Sequence, residues 1–127
     1  MSTILTQESL AINELRLSIS GSAILRGVTL TIRPNTVFCL MGRNGVGKST
    51  TLKALMGLLP IESGNIAFLG NSIERLPTAS RARIGLGYVP QGRDIFPHLT
   101  VLENLYIGAR AQGIKPDSAA TDRVFTL

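Results

Sequence analysis

The chain has 127 residues, 44% of them apolar, and a formal net charge of +5. That length suits one domain with a real core, and no apolar run approaches the ~18–20 residues that a membrane-spanning helix needs. The thirteen basic residues are scattered, with Arg75, Arg81 and Arg83 the densest group, and no aromatic interleaves with a basic run; this excludes a base-stacking platform for nucleic acid and predicts a solvated basic face.

The single cysteine, Cys39, leaves no internal disulfide and suits a reducing compartment. It sits in an apolar run, so a small buried core residue is expected. Met1 to Leu10 carries Glu8 and no basic cluster, unlike a secretory leader.

Leu10 and Ile12 alternate with polar neighbours, and so do Leu15, Leu17 and Ile19, out of phase with the first pair. A break at Asn13-Glu14 restores the phase. Ser20-Gly21-Ser22 reads as a turn. Val28, Leu30 and Ile32 then alternate with Thr29, Thr31 and Arg33. Both stretches predict antiparallel strands with one wet face. Val37 to Met41 is apolar throughout, the pattern of a strand buried on both faces of a parallel sheet. Leu52, Leu55, Met56 and Leu59 recur at the spacing of one helix face, and that helix ends near Gly57 to Leu59, before Pro60. Ile66 to Leu69 predicts a short strand, Thr78 to Ile84 a short helix, and Leu86 to Val89 a second buried strand stopped by Pro90. Thr100 and Glu103 form a capping box ahead of a helix with Leu102, Leu105, Tyr106 and Ala109 on its apolar face. Gly113 and Pro116 end it, and Asp117 can cap a last helix bearing Val124, Phe125 and Leu127. That helix has no stop signal, and only two segments read as parallel strands. The sequence therefore reads as the N-terminal part of a larger domain.

Between the first apolar run and its helix lies Gly42-Arg43-Asn44-Gly45-Val46-Gly47-Lys48-Ser49, which fits G-x-x-x-x-G-K-[ST]. Strand, glycine-rich loop and helix occur in the order that phosphate binding needs. Glycines let the backbone turn its N–H groups inward and let phosphate oxygens approach closely. The helix adds unpaired amides and a positive dipole end. Lys48 is placed to reach the β- and γ-phosphates, the Ser49 hydroxyl to bind Mg²⁺, and Thr50 to add a hydroxyl near the α-phosphate.

Several landmarks in order resemble the ATP-binding subunits of ABC transporters. They are Ile24-Leu25-Arg26-Gly27-Val28, then Leu40 to Thr50, then Gly57-Leu58-Leu59-Pro60 with Ser63-Gly64, then Gly87-Tyr88-Val89-Pro90-Gln91. The stretch from Tyr88 to Val101, with Glu103-Asn104-Leu105, looks like the importer branch for branched-chain amino acids and urea. The Arg43 to Gly47 filling of the loop leans toward urea. The resemblance implies an α/β fold: a P-loop NTPase, the ABC ATPase with its RecA-like core and an N-terminal antiparallel β subdomain, truncated before the signature motif and the Walker B strand. It implies an antiparallel part at about 8–35 and 64–70, a P-loop core at about 36–60 and 85–91, and the start of a helical subdomain at about 92–127.

The resemblance also assigns roles. Gly42, Arg43, Asn44, Gly45, Val46, Gly47, Lys48, Ser49 and Thr50 would hold ATP, with Ser49 and Gln91 toward Mg²⁺ and Lys48 and Gln91 in catalysis. Ile19 aligns where the family stacks an aromatic on adenine. Residues Gly92 to Glu103 would meet the membrane subunit. The implied partners are transmembrane permease subunits and a second nucleotide-binding subunit, identical or not, and no nucleic acid; the implied place is the cytoplasmic face of the inner membrane, peripherally bound. No acid follows a run of four apolar residues, so the Walker B acid, the catalytic glutamate, the signature and the switch histidine are all missing. The chain by itself is expected to hold nucleotide without turning it over. Other readings are a non-catalytic phosphate-binding module, and a different P-loop enzyme, against which the lack of Asn-Lys-x-Asp and the setting of Gln91 both weigh.

Overall fold

A computed structural model describes residues 8–43, 45, 47–92 and 94–126. The chain divides into two compact units, Met1–Thr78 and Ala79–Leu127.

The first unit is built on an antiparallel sheet. Strands β1 (Leu10–Ile19), β2 (Ser22–Ile32), β3 (Ser63–Phe68) and β4 (Asn71–Ser72) lie in the order β2-β1-β3-β4. A two-residue turn at Ser20-Gly21 joins β1 to β2, with Ile19 opposite Ser22. The expected phase break is present. Pairing with β2 shifts between Ile12 and Leu15, and pairing with β3 shifts between Asn13 and Arg16. Glu14 takes a φ of 48° there, and its amide donates to the Thr29 hydroxyl at 2.9 Å. The bulge turns Leu15 and Leu17 onto the face already used by Ile12, and all three are at most 1% exposed.

Ile66 of β3, Ile73 and Leu25 of β2 complete this core, and each is buried. Burying one such side chain stabilises the fold by about 1.5–3 kcal/mol. Helix α1 (Lys48–Leu55) buries Thr51 and Ala54, and Met56 behind it is buried too. Its sequence-predicted face is only partly used: Leu52 is exposed.

Helix α2 (Thr78–Arg83) spans the division between the units. The second unit carries α3 (Val101–Ala111) and α4 (Ser118–Phe125). Both begin as their cap residues require. The Thr100 hydroxyl accepts from the Glu103 amide, the Glu103 carboxylate accepts from the Thr100 amide at 2.8 Å, and Asp117 accepts from the Ala119 amide at 2.9 Å. Neither helix buries a residue.

Three expectations are corrected. Val37 to Met41 and Leu86 to Val89 are not strands; they run as irregular chain outside the one sheet formed among the described residues. Val37 and Val89 are almost fully exposed. A strand of a parallel sheet exists only through its neighbours' hydrogen bonds, so an apolar run without such partners keeps the composition of a strand and loses its geometry. Cys39 goes with that segment and is exposed rather than in the core. The solvated basic face is also too simple, because Arg81 is 3% exposed.

Candidate functional site

The glycine-rich loop leads into α1, whose first residue is Lys48. Gly47 is the helix cap, with a φ of 100°, and no side chain caps the helix start. The first intrahelical bond runs from the Thr51 amide to the Gly47 carbonyl at 2.8 Å. The amides of Lys48, Ser49 and Thr50 precede it, as the first amides of any helix do. The same three residues line a cavity of about 260 Å³ together with Ile24, Gly45 and Gly47. That volume lies below the ~300–1,000 Å³ of sites that engulf a whole small molecule. It fits part of a ligand.

Two contacts fix the loop's exit. A side chain on Gly47 would place its Cβ 2.8 Å from Leu25 Cδ2 of β2, so only glycine lets the loop lie this close to the sheet. The buried Thr51 hydroxyl donates to the Gly47 carbonyl at 2.8 Å. The Lys48 ammonium donates to the carbonyls of Gly42 and Arg43, the latter at 2.7 Å, and so ties the loop's entry to the helix. Among the described residues no acidic side chain lines the cavity. The lining residues carry an ammonium, two hydroxyls and the first amides of a helix, a donor set suited to an anion.

Of the predicted residues, Gly45, Gly47, Lys48, Ser49 and Thr50 come together at one cavity, and Gly42 and Arg43 join through Lys48. Asn44 and Val46 lie outside the described residues. Ile19 does not line the cavity; it ends β1, 42% exposed. Gln91 belongs to the second unit, in an exposed bend after Pro90. Sequence reasoning missed Ile24, the apolar wall of the cavity. Its signal was its place in Ile24-Leu25, just past the hairpin turn that carries β2 along the loop. Among the described residues no three His, Cys, Asp or Glu side chains cluster as a metal site, and no helix is long and apolar enough to cross a membrane.

The ABC transporter family model matches residues 25–126. This chain belongs to the ABC transporter family. It is 41% identical over 103 residues to the lipopolysaccharide export system ATP-binding protein LptB of Haemophilus influenzae, covering 81% of this chain and 41% of that protein. It is 42% identical over 86 residues to the probable branched-chain amino acid transport ATP-binding protein LivF of Archaeoglobus fulgidus, covering 68% of this chain and 36% of that one. A solved structure of the ATP-binding subunit of an ABC transporter superposes with a TM-score of 0.73 at 29% identity, over 90% of this chain and 46% of the other. The ABC chain thus spans under half the length of these relatives. Its fold is that of the ABC ATPases, with the antiparallel β part and P-loop helix in place, and ATP is the ligand that the family binds.

Proposed function

We propose that this ABC chain carries the phosphate-gripping half of a transport motor. In the complete subunit, ATP hydrolysis would drive solute import, with branched-chain amino acids or urea as the cargo. The observation that carries the reading is the cavity at the start of α1, where Lys48, Ser49 and Thr50 converge under Ile24.

The residues fit a Mg-nucleotide. The uncapped amides and Lys48 would take the phosphate oxygens, and Thr50 would add a hydroxyl. Ser49, an exposed oxygen donor that lines the cavity, suits Mg²⁺, and the resemblance assigns Gln91 to the same ion. Bound Mg²⁺ would neutralise developing charge on the phosphates. Lys48 acts by charge as well, which makes it and Gln91 the catalytic candidates within these residues. Gly42 to Thr50 form the nucleotide site on this reading, Ile19 is assigned to the base by resemblance, and Ile24, which lines the cavity, would supply an apolar contact. Water activation needs an acid, and among the described residues none lines the cavity.

The partners proposed are permease subunits and a second nucleotide-binding subunit, at the cytoplasmic face of the membrane. The cargo assignment rests on the stretch from Tyr88 to Glu103 and on the likeness to LivF; the name of LptB points instead to lipopolysaccharide export. On this reading the β part is about 8–35 and 64–70, the P-loop core about 36–60 and 85–91, and the start of the helical subdomain about 92–127, as the resemblance implies.

The test is calorimetry with Mg-ATP on wild type and Lys48→Ala. Binding at micromolar to millimolar affinity that the variant weakens by at least about tenfold supports the reading. No heat at millimolar ligand from a folded sample ends it. Transport assays of the complete system with urea and with branched-chain amino acids decide the cargo.

A further inference from the structure

Thr51 is a polar residue in an apolar place. It is 4% exposed, and among the described residues Arg81 is the only other buried polar side chain. Thr51 lines a cavity of about 120 Å³ whose other walls are apolar, Leu10 and Ile12 of β1 and Leu30 and Ile32 of β2 among them. A hydroxyl in such surroundings costs stability unless it is hydrogen-bonded. Valine has nearly the same shape and would bury no hydroxyl there.

The hydroxyl is spent on the glycine-rich loop. It donates to the Gly47 carbonyl at 2.8 Å, and the Thr51 amide donates to the same oxygen at 2.8 Å. One residue thus occupies both lone pairs of that carbonyl. The Gly47–Lys48 peptide is trans, so its N–H points opposite to its C=O. Holding the carbonyl along the helix turns the Lys48 amide out of the start of α1, and Lys48 is a lining residue of the cavity at that end. Gly47 needs such a tether, because its φ is 100° and no side chain caps the helix. Glycine occupies left- and right-handed backbone about equally, so its peptide is easily turned. A helical threonine often bonds back to the carbonyl four residues earlier, which satisfies its own hydroxyl. Here the accepting carbonyl also shares its peptide with the first amide of the helix.

We infer that Thr51 is a positioning residue for phosphate binding: its buried hydroxyl locks the Gly47–Lys48 peptide so that the Lys48 amide is aimed at an anion before one arrives. Thr51 acts through that peptide, since its own side chain is not part of the lining of the loop's cavity. A donor aimed beforehand need not be reoriented when the ligand binds, so more of its interaction energy appears as affinity. The inference rests on the reading of that cavity as a triphosphate site.

The experiment is calorimetry with inorganic triphosphate and with Mg-ATP, together with thermal unfolding, on wild type, Thr51→Val and Thr51→Ser. Thr51→Val keeps the backbone bond and deletes the hydroxyl. It should bind both ligands about three- to tenfold more weakly, while its melting temperature holds or rises in the apolar surroundings. Thr51→Ser keeps the hydroxyl and should bind both ligands within about twofold of wild type, although loss of the methyl lowers its melting temperature. Wild-type affinity in Thr51→Val, whatever its melting temperature, overturns the inference and leaves the site standing. Equal loss of affinity in the valine and serine variants also overturns it, since methyl packing would then set the helix start. So does a loss confined to Mg-ATP, which would not arise at the phosphates. A folded wild type that binds neither ligand overturns the triphosphate site itself, and the inference with it. If Thr51→Val does not fold, Thr51→Ala against Thr51→Ser isolates the hydroxyl in the same comparisons.

Discussion

The Leu15 Cα and the glycine at position 64 lie so close that a Cβ on Gly64 would stand 2.7 Å from it. The same Cβ would meet the Glu14 carbonyl at 2.7 Å and the Asn13 carbonyl at 2.8 Å. All three obstacles are main chain of the β1 bulge, which cannot rotate aside. Gly64 also has a φ of 104°, costly for any L side chain. Gly64→Ala should therefore destabilise the β1–β3 pairing by about 3 kcal/mol or more. Thermal or denaturant unfolding checks this; a loss under about 1 kcal/mol would show that the bulge can relax.

The stacking position is open to improvement. Ile19 ends β1 and is 42% exposed, and on the proposed reading it takes the position that faces the base. An aromatic there gains the ring-on-ring contact, worth about 0.5–1.5 kcal/mol beyond burial. Ile19→Tyr should tighten Mg-ATP about 2- to 10-fold and leave binding of inorganic triphosphate unchanged. Equal tightening of both ligands would show that the gain does not come from the base. Ile24→Ala should weaken nucleotide binding, since Ile24 lines the cavity itself.

Much of this was legible in the sequence, for a physical reason that also marks its limit. Local signals held. The Thr100 and Glu103 capping box, the Asp117 cap and the phase break at Glu14 depend on near neighbours in sequence, and each is present. The landmark Ser63-Gly64 was visible, but its cause was not: the crowding at Gly64 comes from residues 13–15, across a strand pair. Long-range signals failed. The apolar runs at Val37 and Leu86 have the composition of buried strands, but pairing decides strandhood, and the described residues supply no partner for either. Ile24 was missed because its place just past the hairpin turn marks a strand, while its nearness to the loop is a long-range relationship.

The α3 cap gives a pH dependence. The Thr100 amide and then the Thr100 hydroxyl, hydrogen-bonded to the Glu103 carboxylate, hold its pKa below the ordinary 4.5, and Arg110 adds a smaller pull in the same direction. A depressed folded pKa means stability that is present above the unfolded value and lost as pH falls through the folded one. The cap should be intact above about pH 5 and fail progressively in more acid solution. Glu103→Gln keeps a capping side chain without a titrating group. Protection of the Thr100 amide, corrected for the intrinsic exchange rate at each pH, should fall on acidification in the wild type by more than in the glutamine variant. Parallel profiles would show that the carboxylate charge contributes nothing there.

Gly47 faces the same kind of crowding as Gly64 with a different outcome. Its φ is 100°, and a Cβ there would stand 2.8 Å from Leu25 Cδ2, a side-chain atom, and 3.5 Å from the Ile24 carbonyl. Leu25 is 3% exposed, so its methyl can yield only by disturbing the core around it. Gly47→Ala should then cost about 1–3 kcal/mol of stability, less than the change at Gly64. It should also move the start of α1, whose residues Lys48, Ser49 and Thr50 line the cavity. Mg-ATP affinity of the folded variant should drop by about tenfold or more, because several donors shift together. Gly64→Ala is remote from that cavity's lining, and whatever fraction of it folds should bind nucleotide normally. Measuring melting temperature and nucleotide affinity for both variants separates the two effects. If Gly47→Ala lost stability and kept its affinity, the approach of the loop to β2 would serve the fold alone.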